Sequence, residues 1–274
     1  MHKKFLLIIV VLLSVILAIA VILNVKKKGA SLSGENAKSV AVSSAFLSTK
    51  AKELEAKGEL LQAKSVYQEL INDFANSNEV ANWQKKVDDI NIRLLFSKIP
   101  TPISTFYEIK PGDTLNKIAQ EFKTTPELIM KANNISGDKI FPGRKIKVNN
   151  VPFSIVVDKS QNILILKANE EIIKTYSVST GANNSTPVGN FKIVNKLENP
   201  IWFKAGAVVP ANSPENILGT RWMGFDLAGY GIHGTTDPQS IGRQVTQGCI
   251  RMSNADVEEL YTIIPIGTEV TVID

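Results

Sequence analysis

The stretch that decides the fold of the C-terminal half reads GIHGTTDPQSIGRQVTQGCIRM and runs from Gly231 to Met252. It contains Cys249, the single cysteine of the chain, and His233, one of its two histidines, sixteen positions earlier. A thiol attacks as the thiolate, and its ordinary pKa of about 8.5 leaves it mostly protonated at neutral pH, so a nearby imidazole has to accept the proton. Cys249 and His233 are therefore the candidate nucleophile and base of an acyl-transfer site.

Glycines adjoin both of these residues, and a glycine lets backbone amides approach a substrate carbonyl without a side chain in the way. The backbone N–H groups of Gly248 and Cys249 are predicted to form an oxyanion hole, where each donor lowers the barrier by about 3 kcal/mol. Two simpler readings remain open. A free cysteine is often a small buried hydrophobe, and a lone histidine is often a core or surface residue with local hydrogen bonds.

The residues around this stretch predict a mainly-β domain over residues 152–274. Segments rich in β-branched residues and separated by turns predict short strands at Phe153–Val157, Ile163–Lys167 and Ile172–Ser179, with a closing strand at Glu269–Ile273. Together these strands favour a β-sandwich or a barrel-like core.

Several motifs in this domain occur in a fixed order, and together they closely resemble the YkuD-type L,D-transpeptidase catalytic domain. The resemblance covers nearly all of Phe153–Asp274 and rests on Ser185–Phe191, Gly219–Met223, Tyr230–Thr235 and Gly248–Met252. It implies a β-rich fold, Cys249 as nucleophile, His233 as base and the carbonyl of Gly234 as the group that orients the imidazole. Many relatives carry a histidine where Gln247 stands, so this departure is expected to affect substrate contacts.

Further site residues follow from the same resemblance. Thr246 and Gln247 are expected to contact the substrate, and Arg251 matches the arginine of the motif and could bind a substrate carboxylate. A structural salt bridge of Arg251 is an equally open reading. One cysteine and two histidines leave no disulfide and no Cys-rich or His-rich metal site, so no metal and no cofactor are expected.

The resemblance implies a reaction on peptidoglycan. Cys249 would be acylated by a tetrapeptide stem with release of D-alanine, and an amine of a second stem would then accept the acyl group to form a 3→3 crosslink. An L,D-carboxypeptidase, in which water is the acceptor, and a non-catalytic wall-binding scaffold remain as alternatives.

Residues 105–149 predict a small α+β domain in the order strand, helix, helix, strand. Thr114 and Thr125 are suited to cap the two helices, and Pro126 follows the second cap at a favoured position. The unit resembles a LysM domain through Tyr107–Leu115 and Phe141–Gly143, which implies binding to glycan strands that contain N-acetylglucosamine. A capping domain without a ligand is the alternative.

Residues 38–98 predict an all-α segment, a helical hairpin similar to one tetratricopeptide-type repeat. A lone repeat cannot bury both of its faces, so a spacer and a module that binds a protein partner are equally open.

The N-terminal residues 5–25, Phe5 to Val25, form an apolar run of a length that spans a bilayer as a helix. Three lysines follow it, which favours a transmembrane anchor over a cleaved signal peptide. The resulting fold class is multidomain, and the expected location is a single-pass protein of the cytoplasmic membrane, with the LysM and catalytic domains on the cell-wall side.

The charge distribution argues against a nucleic-acid partner. Residues 152–274 carry nine Lys and Arg against twelve Asp and Glu, although the whole chain has a net charge of +5. Much of the basic excess flanks the apolar N-terminal run, so the total charge describes a membrane border rather than a surface for nucleic acid.

Overall fold

The computed structural model describes residues 34–204, 206–211 and 213–274, and the chain divides into two compact units, residues 1–87 and 88–274. The described helices are α1 Gly34–Ala56, α2 Leu60–Asp73, α3 Val80–Leu95, α4 Leu115–Glu121, α5 Pro126–Asn133 and α6 Asn254–Ile263. The described strands are β1 Ser104–Glu108, β2 Lys145–Asn149, β3 Phe153–Asp158, β4 Ile163–Ala168, β5 Glu171–Ser177, β6 Thr180–Gly181, β7 Gly189–Glu198, β8 Trp202–Lys204, β9 Ala207–Val209, β10 Arg221–Phe225, β11 Gly231–His233, β12 Gln244–Thr246, β13 Ile250–Arg251 and β14 Glu269–Ile273.

The predicted transmembrane helix requires a correction to the fold class and to the location. Within the described ranges, no helix combines the length and the apolar character needed to cross a membrane. The longest described helix, α1, carries charged residues such as Lys50, Lys52 and Glu53, and charged side chains are costly in a bilayer. The segment Phe5–Val25 itself lies outside the described residues. The predicted fold class and location are corrected accordingly, since no described residue supports a single-pass membrane protein.

The predicted helical hairpin also requires a correction, because three described helices occupy this region. The helix α2 buries Tyr67 and Leu70, and the hydroxyl of Tyr67 donates to Glu55 Oε2 of α1 at 3.4 Å. Between α2 and α3, the hydroxyl of Ser77 accepts from the backbone N–H of Glu79 at 3.2 Å. Short polar side chains that bind nearby backbone groups favour a turn over a helix, and the hydrophobic periodicity alone had concealed this break.

The small α+β unit has the predicted order of strand, helix, helix, strand. Strands β1 and β2 pair in antiparallel fashion. The hydroxyl of Thr114 accepts from Lys117 N at 3.2 Å, and that of Thr125 accepts from Leu128 N at 2.9 Å. Both predicted caps are confirmed, since each side-chain oxygen satisfies a backbone donor of the first helical turn.

The C-terminal domain is mainly β, as predicted, and its principal sheet is one mixed sheet of eight strands. The order of the strands is β13-β11-β10-β7-β14-β3-β4-β5. Two of its pairs, β14 with β3 and β11 with β13, are parallel. The short pairs β6–β12 and β8–β9 lie outside this sheet. This strand order neither requires nor contradicts the predicted sandwich or barrel, which stays a prediction. A helix also packs into the core of the sheet.

That helix, α6, was not predicted from the sequence. Its first turn carries a reciprocal cap, in which the hydroxyl of Ser253 accepts from Asp256 N at 3.1 Å and donates to Asp256 Oδ2 at 2.6 Å. The first of these bonds satisfies a free backbone N–H of the helix start. Val257, Leu260 and Ile263 are completely buried in the core of the sheet, so α6 packs against the strands that carry His233 and Arg251.

Buried hydrogen bonds attach the small α+β unit to the rest of residues 88–274. The side chain of Lys147 is buried, and its Nζ donates to the carbonyls of Leu94 at 2.6 Å and Ser97 at 2.9 Å. These carbonyls lie at the C-terminal end of α3, where positive charge is favourable. The hydroxyl of Thr125 donates to the carbonyl of Thr262 at the end of α6. The two parts therefore meet through satisfied polar contacts as well as apolar packing.

Candidate active site

The candidate nucleophile and base lie on neighbouring strands at one edge of the principal sheet. Strand β11 ends at His233, and its parallel partner β13 starts directly after Cys249. The register pairs His233 with Arg251, so Cys249 lies two residues before the partner of His233. Side chains two residues apart along a strand share a face. We infer that the thiol and the imidazole lie on the same face of this strand pair.

The imidazole of His233 is held in one orientation by its own chain. Its Nδ1 lies 2.6 Å from the carbonyl oxygen of Gly234, the contact that was expected for Gly234. Because a carbonyl can only accept, Nδ1 carries the proton of this hydrogen bond, and in the neutral ring Nε2 is left unprotonated. Burial of the side chain lowers the pKa of His233 to about 4, against an opposing contribution from the Gly234 hydrogen bond. The imidazole is therefore a neutral base at neutral pH.

Trp222 is the neighbour of His233 on strand β10, and the sequence did not identify it as a site residue. It pairs with His233 across β10 and β11, and the indole and imidazole rings stack with centroids 6.1 Å apart. The indole Nε1 donates to Asn195 Oδ1 at 3.0 Å, which fixes the ring. Trp222 belongs to the Gly219–Met223 motif, but only the strand register, which the sequence does not reveal, places it beside the imidazole.

The thiol of Cys249 is partly exposed and rests against backbone groups. Its Sγ donates to the carbonyl of Gly229 at 3.4 Å. Burial raises the pKa of Cys249, and this outweighs the lowering by a hydrogen bond from the Gly231 backbone and by the charge of Arg251. A raised thiol pKa beside a neutral imidazole describes a resting pair without charge, rather than a preformed thiolate and imidazolium.

This protonation state predicts the pH dependence of thiol alkylation. Because the pKa of Cys249 is raised, the thiolate fraction should grow about tenfold per pH unit between pH 6 and 9. The rate of alkylation by iodoacetamide, followed by intact mass, is expected to rise with the same slope and without a plateau near neutral pH. Cys249 is the only cysteine in the sequence, so no other thiol contributes.

The variant His233→Gln is the matched control for this measurement. A neutral pair predicts that its alkylation profile has the same slope as the wild-type profile. A rate that levels off below pH 7 in the wild type, and that loses this plateau in His233→Gln, would instead show an ion pair.

A tight turn from Thr246 to Cys249 presents the thiol. The hydroxyl of Thr246 donates to the carbonyl of Cys249 at 2.6 Å and accepts from the N–H of Gly248 at 3.2 Å. The Gly248 donor, predicted for the oxyanion hole, is thus engaged inside the turn in this state. Thr246, expected to contact substrate, is also committed to the backbone, whereas the side chain of Gln247 is exposed. Their substrate contacts stay predictions.

Gly248 is needed for a reason that the sequence does not show. Its φ is +126°, and a Cβ at this position would lie 2.7 Å from Cε1 of Tyr230 and 3.1 Å from the carbonyl oxygen of Ser185. Residues other than glycine rarely adopt this backbone conformation. The glycine thus lets the turn pack against Tyr230, directly before Cys249.

Arg251 is anchored beside the site, but not by a carboxylate. Its Nη1 donates to the hydroxyl of Ser240 at 2.9 Å, and its buried Nε has no hydrogen-bond partner in the described structure. Its backbone N–H and C=O both pair with Ser179, at 2.9 and 2.8 Å. Of the two open readings, the salt bridge is not formed within the described residues, and binding of a substrate carboxylate stays a prediction.

Comparison with known proteins assigns this constellation to a family. The pattern of the YkuD L,D-transpeptidase catalytic domain matches residues 152–272, and the LysM domain matches residues 107–149. A Bacillus licheniformis protein named as the L,D-transpeptidase YkuD is 36% identical over 174 residues, which are 61% of this chain and 97% of that protein. The chain belongs to the YkuD family of L,D-transpeptidases. It also carries a LysM domain, as the sequence resemblance indicated.

A second sequence relative agrees with this assignment. The protein of the same name from Bacillus subtilis is 36% identical and matches 61% of this chain and 97% of its own length. The crystal structure of an L,D-transpeptidase from Mycobacterium tuberculosis is 16% identical, with a TM-score of 0.40 over 62% of this chain and 90% of that one. This structural likeness is too low to add to the assignment, which rests on the sequence matches.

Proposed function

We propose that this L,D-transpeptidase acylates Cys249 with a peptidoglycan tetrapeptide stem and transfers the acyl group to an acceptor amine, forming a 3→3 crosslink. The observation that carries the proposal is the neutral His233, whose Nδ1 is held by Gly234 so that Nε2 is free to accept a proton. His233 ends strand β11, and the parallel partner β13 of this strand begins directly after Cys249.

In the first half of the reaction, the thiol gives its proton to His233 Nε2 as Sγ attacks the carbonyl carbon of the third stem residue. A C–S bond forms, and the C–N bond to the terminal D-alanine breaks. The imidazolium returns the proton to the leaving amine. The products of this half are a thioester on Cys249 and free D-alanine, with His233 neutral again.

In the second half, the side-chain amine of another stem attacks the thioester carbon. Its proton passes to His233, the new C–N bond forms and the C–S bond breaks, and the imidazolium protonates the departing sulfur. The N–H of Cys249 is the oxyanion donor that we assign, since it makes none of the hydrogen bonds of the 246–249 turn. Gly248 would join it only after releasing Thr246.

In this proposal, the LysM domain binds the glycan part of the substrate. Family membership of residues 107–149 supports binding to glycan strands. Phe106, directly before this range, and Phe141 within it expose 52% and 65% of their surfaces. Exposed aromatic faces suit contact with sugar rings. The LysM domain would hold the glycan while Cys249 acts on the stem peptides.

The test incubates the full chain with disaccharide tetrapeptides and analyses the products by mass spectrometry. We expect crosslinked dimers one D-alanine lighter than two monomers, and we expect none from Cys249→Ser. Tripeptide and D-alanine without dimers would identify an L,D-carboxypeptidase. Unchanged substrate, together with no covalent adduct from a carbapenem, would leave a non-catalytic wall-binding protein and overturn the proposal.

A further inference from the structure

The side chain of Asn254, at the first position of α6, reaches into the loop that follows His233. Its Oδ1 accepts two backbone hydrogen bonds, from Thr235 N at 3.0 Å and from Thr220 N at 3.2 Å. One carboxamide oxygen therefore joins the end of β11 to the start of β10. None of the sequence motifs assigned a role to this residue.

The bond to Thr235 acts on the peptide group that orients the catalytic base. The N–H of Thr235 and the C=O of Gly234 belong to the same planar unit, and in a trans peptide they point in opposite directions. Asn254 Oδ1 holds the N–H side of this plane, while His233 Nδ1 lies 2.6 Å from its carbonyl oxygen. A rotation of the plane would break both hydrogen bonds together.

The bond also affects the strength of the contact with the imidazole. A hydrogen bond to the N–H of a peptide polarises its carbonyl, so the carbonyl becomes a better acceptor. Thr235 is buried, which reduces competition from water. Asn254 would thus favour the tautomer in which His233 Nδ1 carries the proton.

The surrounding backbone is shaped to admit this carboxamide. A Cβ built at Gly234 or at Gly219 would collide with Asn254 Oδ1. Gly234 is also held from its other side, because its N–H donates to the carbonyl of Arg221 at 3.1 Å. The absence of side chains at Gly219 and Gly234 therefore leaves space for the carboxamide of Asn254.

We propose that Asn254 is a positioning residue of this active site, which fixes the peptide plane after Gly234 and thereby the tautomer and direction of His233. The inference rests on the proposed function, because it acts through the base assigned there. Asn254 contacts neither the substrate nor the thiol, but it would determine whether Nε2 of His233 is unprotonated and able to accept the thiol proton. Such an effect is separable from the part that α6 plays in stability.

The experiment combines the histidine tautomer with the rate of acylation. Two-bond proton–nitrogen NMR spectra of the full chain report which ring nitrogen of His233 is protonated, and the His233→Gln spectrum distinguishes its signals from those of His2. We expect the Nδ1–H form in the wild type. In Asn254→Leu and Asn254→Ala we expect a mixture with the Nε2–H form, together with acylation by a carbapenem slowed about 100-fold.

Two further variants separate positioning from stability. Asn254→Asp keeps an oxygen at the same place and is expected to restore the wild-type tautomer and most of the rate. Asp256→Ala removes the reciprocal cap of the same helix without touching the Gly234 peptide, so it should lower the thermal midpoint and leave the tautomer and the rate unchanged.

The possible failures are distinguishable. An Nε2–H imidazole in the wild type would overturn the assignment of His233 as the base, and the proposed function with it. A wild-type Nδ1–H imidazole that persists in Asn254→Leu and Asn254→Ala, with wild-type acylation, would overturn only the role of Asn254.

Discussion

Replacement of His233 by Gln is expected to slow acylation of Cys249 about 1,000-fold, which is within the range for loss of a general base. The amide of Gln can still donate to the Gly234 carbonyl, so the loop should keep its shape, but an amide cannot accept the thiol proton at neutral pH. The expected result is a slow growth of the carbapenem adduct in a time course of intact mass. The variant should unfold at nearly the wild-type temperature.

The baseline of this measurement is Cys249→Ala, which should form no adduct at all. The low pKa of His233, about 4, adds a second expectation. Wild-type acylation should show no loss from protonation of His233 between pH 5 and 8, since this imidazole stays neutral throughout the interval. A loss of less than tenfold in His233→Gln would mean that the thiol is activated by another group.

Replacement of Gly248 by Ala is expected to slow acylation about 100-fold through displacement of the nucleophile. The new Cβ would lie 2.7 Å from the ring of Tyr230, on a backbone with φ of +126°. Either the ring or the turn has to move, and the turn carries Cys249. We also expect the free energy of unfolding to fall by about 2 kcal/mol, as for other overpacked positions. Urea denaturation and the carbapenem time course measure the two effects.

Gly242→Ala is a matched control in the same region. Gly242 also has a positive φ, of +88°, but a Cβ there would meet no atom within 4 Å. It should lose about 1 kcal/mol through backbone strain alone, and its acylation should equal that of the wild type. Equal acylation losses in the two variants would show that strain, and not the collision with Tyr230, controls the position of the thiol.

The features that the sequence predicted correctly depend on a few neighbouring residues. The caps Thr114 and Thr125 act within their own first helical turns, and Pro126 follows at a position that favours helix initiation. The family resemblance likewise rested on short motifs around His233 and Cys249. Such signals are contained in the local chain and survive without knowledge of the fold.

The features that were missed depend on distant contacts or on weak local signals. The parallel pairing of β11 with β13, and the stack of Trp222 on His233, follow from a register that no local pattern encodes. The helix α6 did have a local signal, the spacing of Ser253 and Asp256, which a search for capping pairs would have found. The contact of Asn254 with Thr235 joins an unpredicted helix to a loop, so it could not have been inferred.

The buried lysine at the edge of the LysM sheet has a consequence for which stems can react. Lys147 holds its domain to the end of α3 through two backbone carbonyls, and Thr125 holds it to the end of α6. A glycan bound to such a domain is not joined to the catalytic domain by a flexible linker, whose end-to-end distance would vary widely. Under the proposed function, only stem peptides at a fixed distance and angle along the bound glycan would reach the sulfur of Cys249. The helical pitch of the glycan would then contribute to the choice of stem.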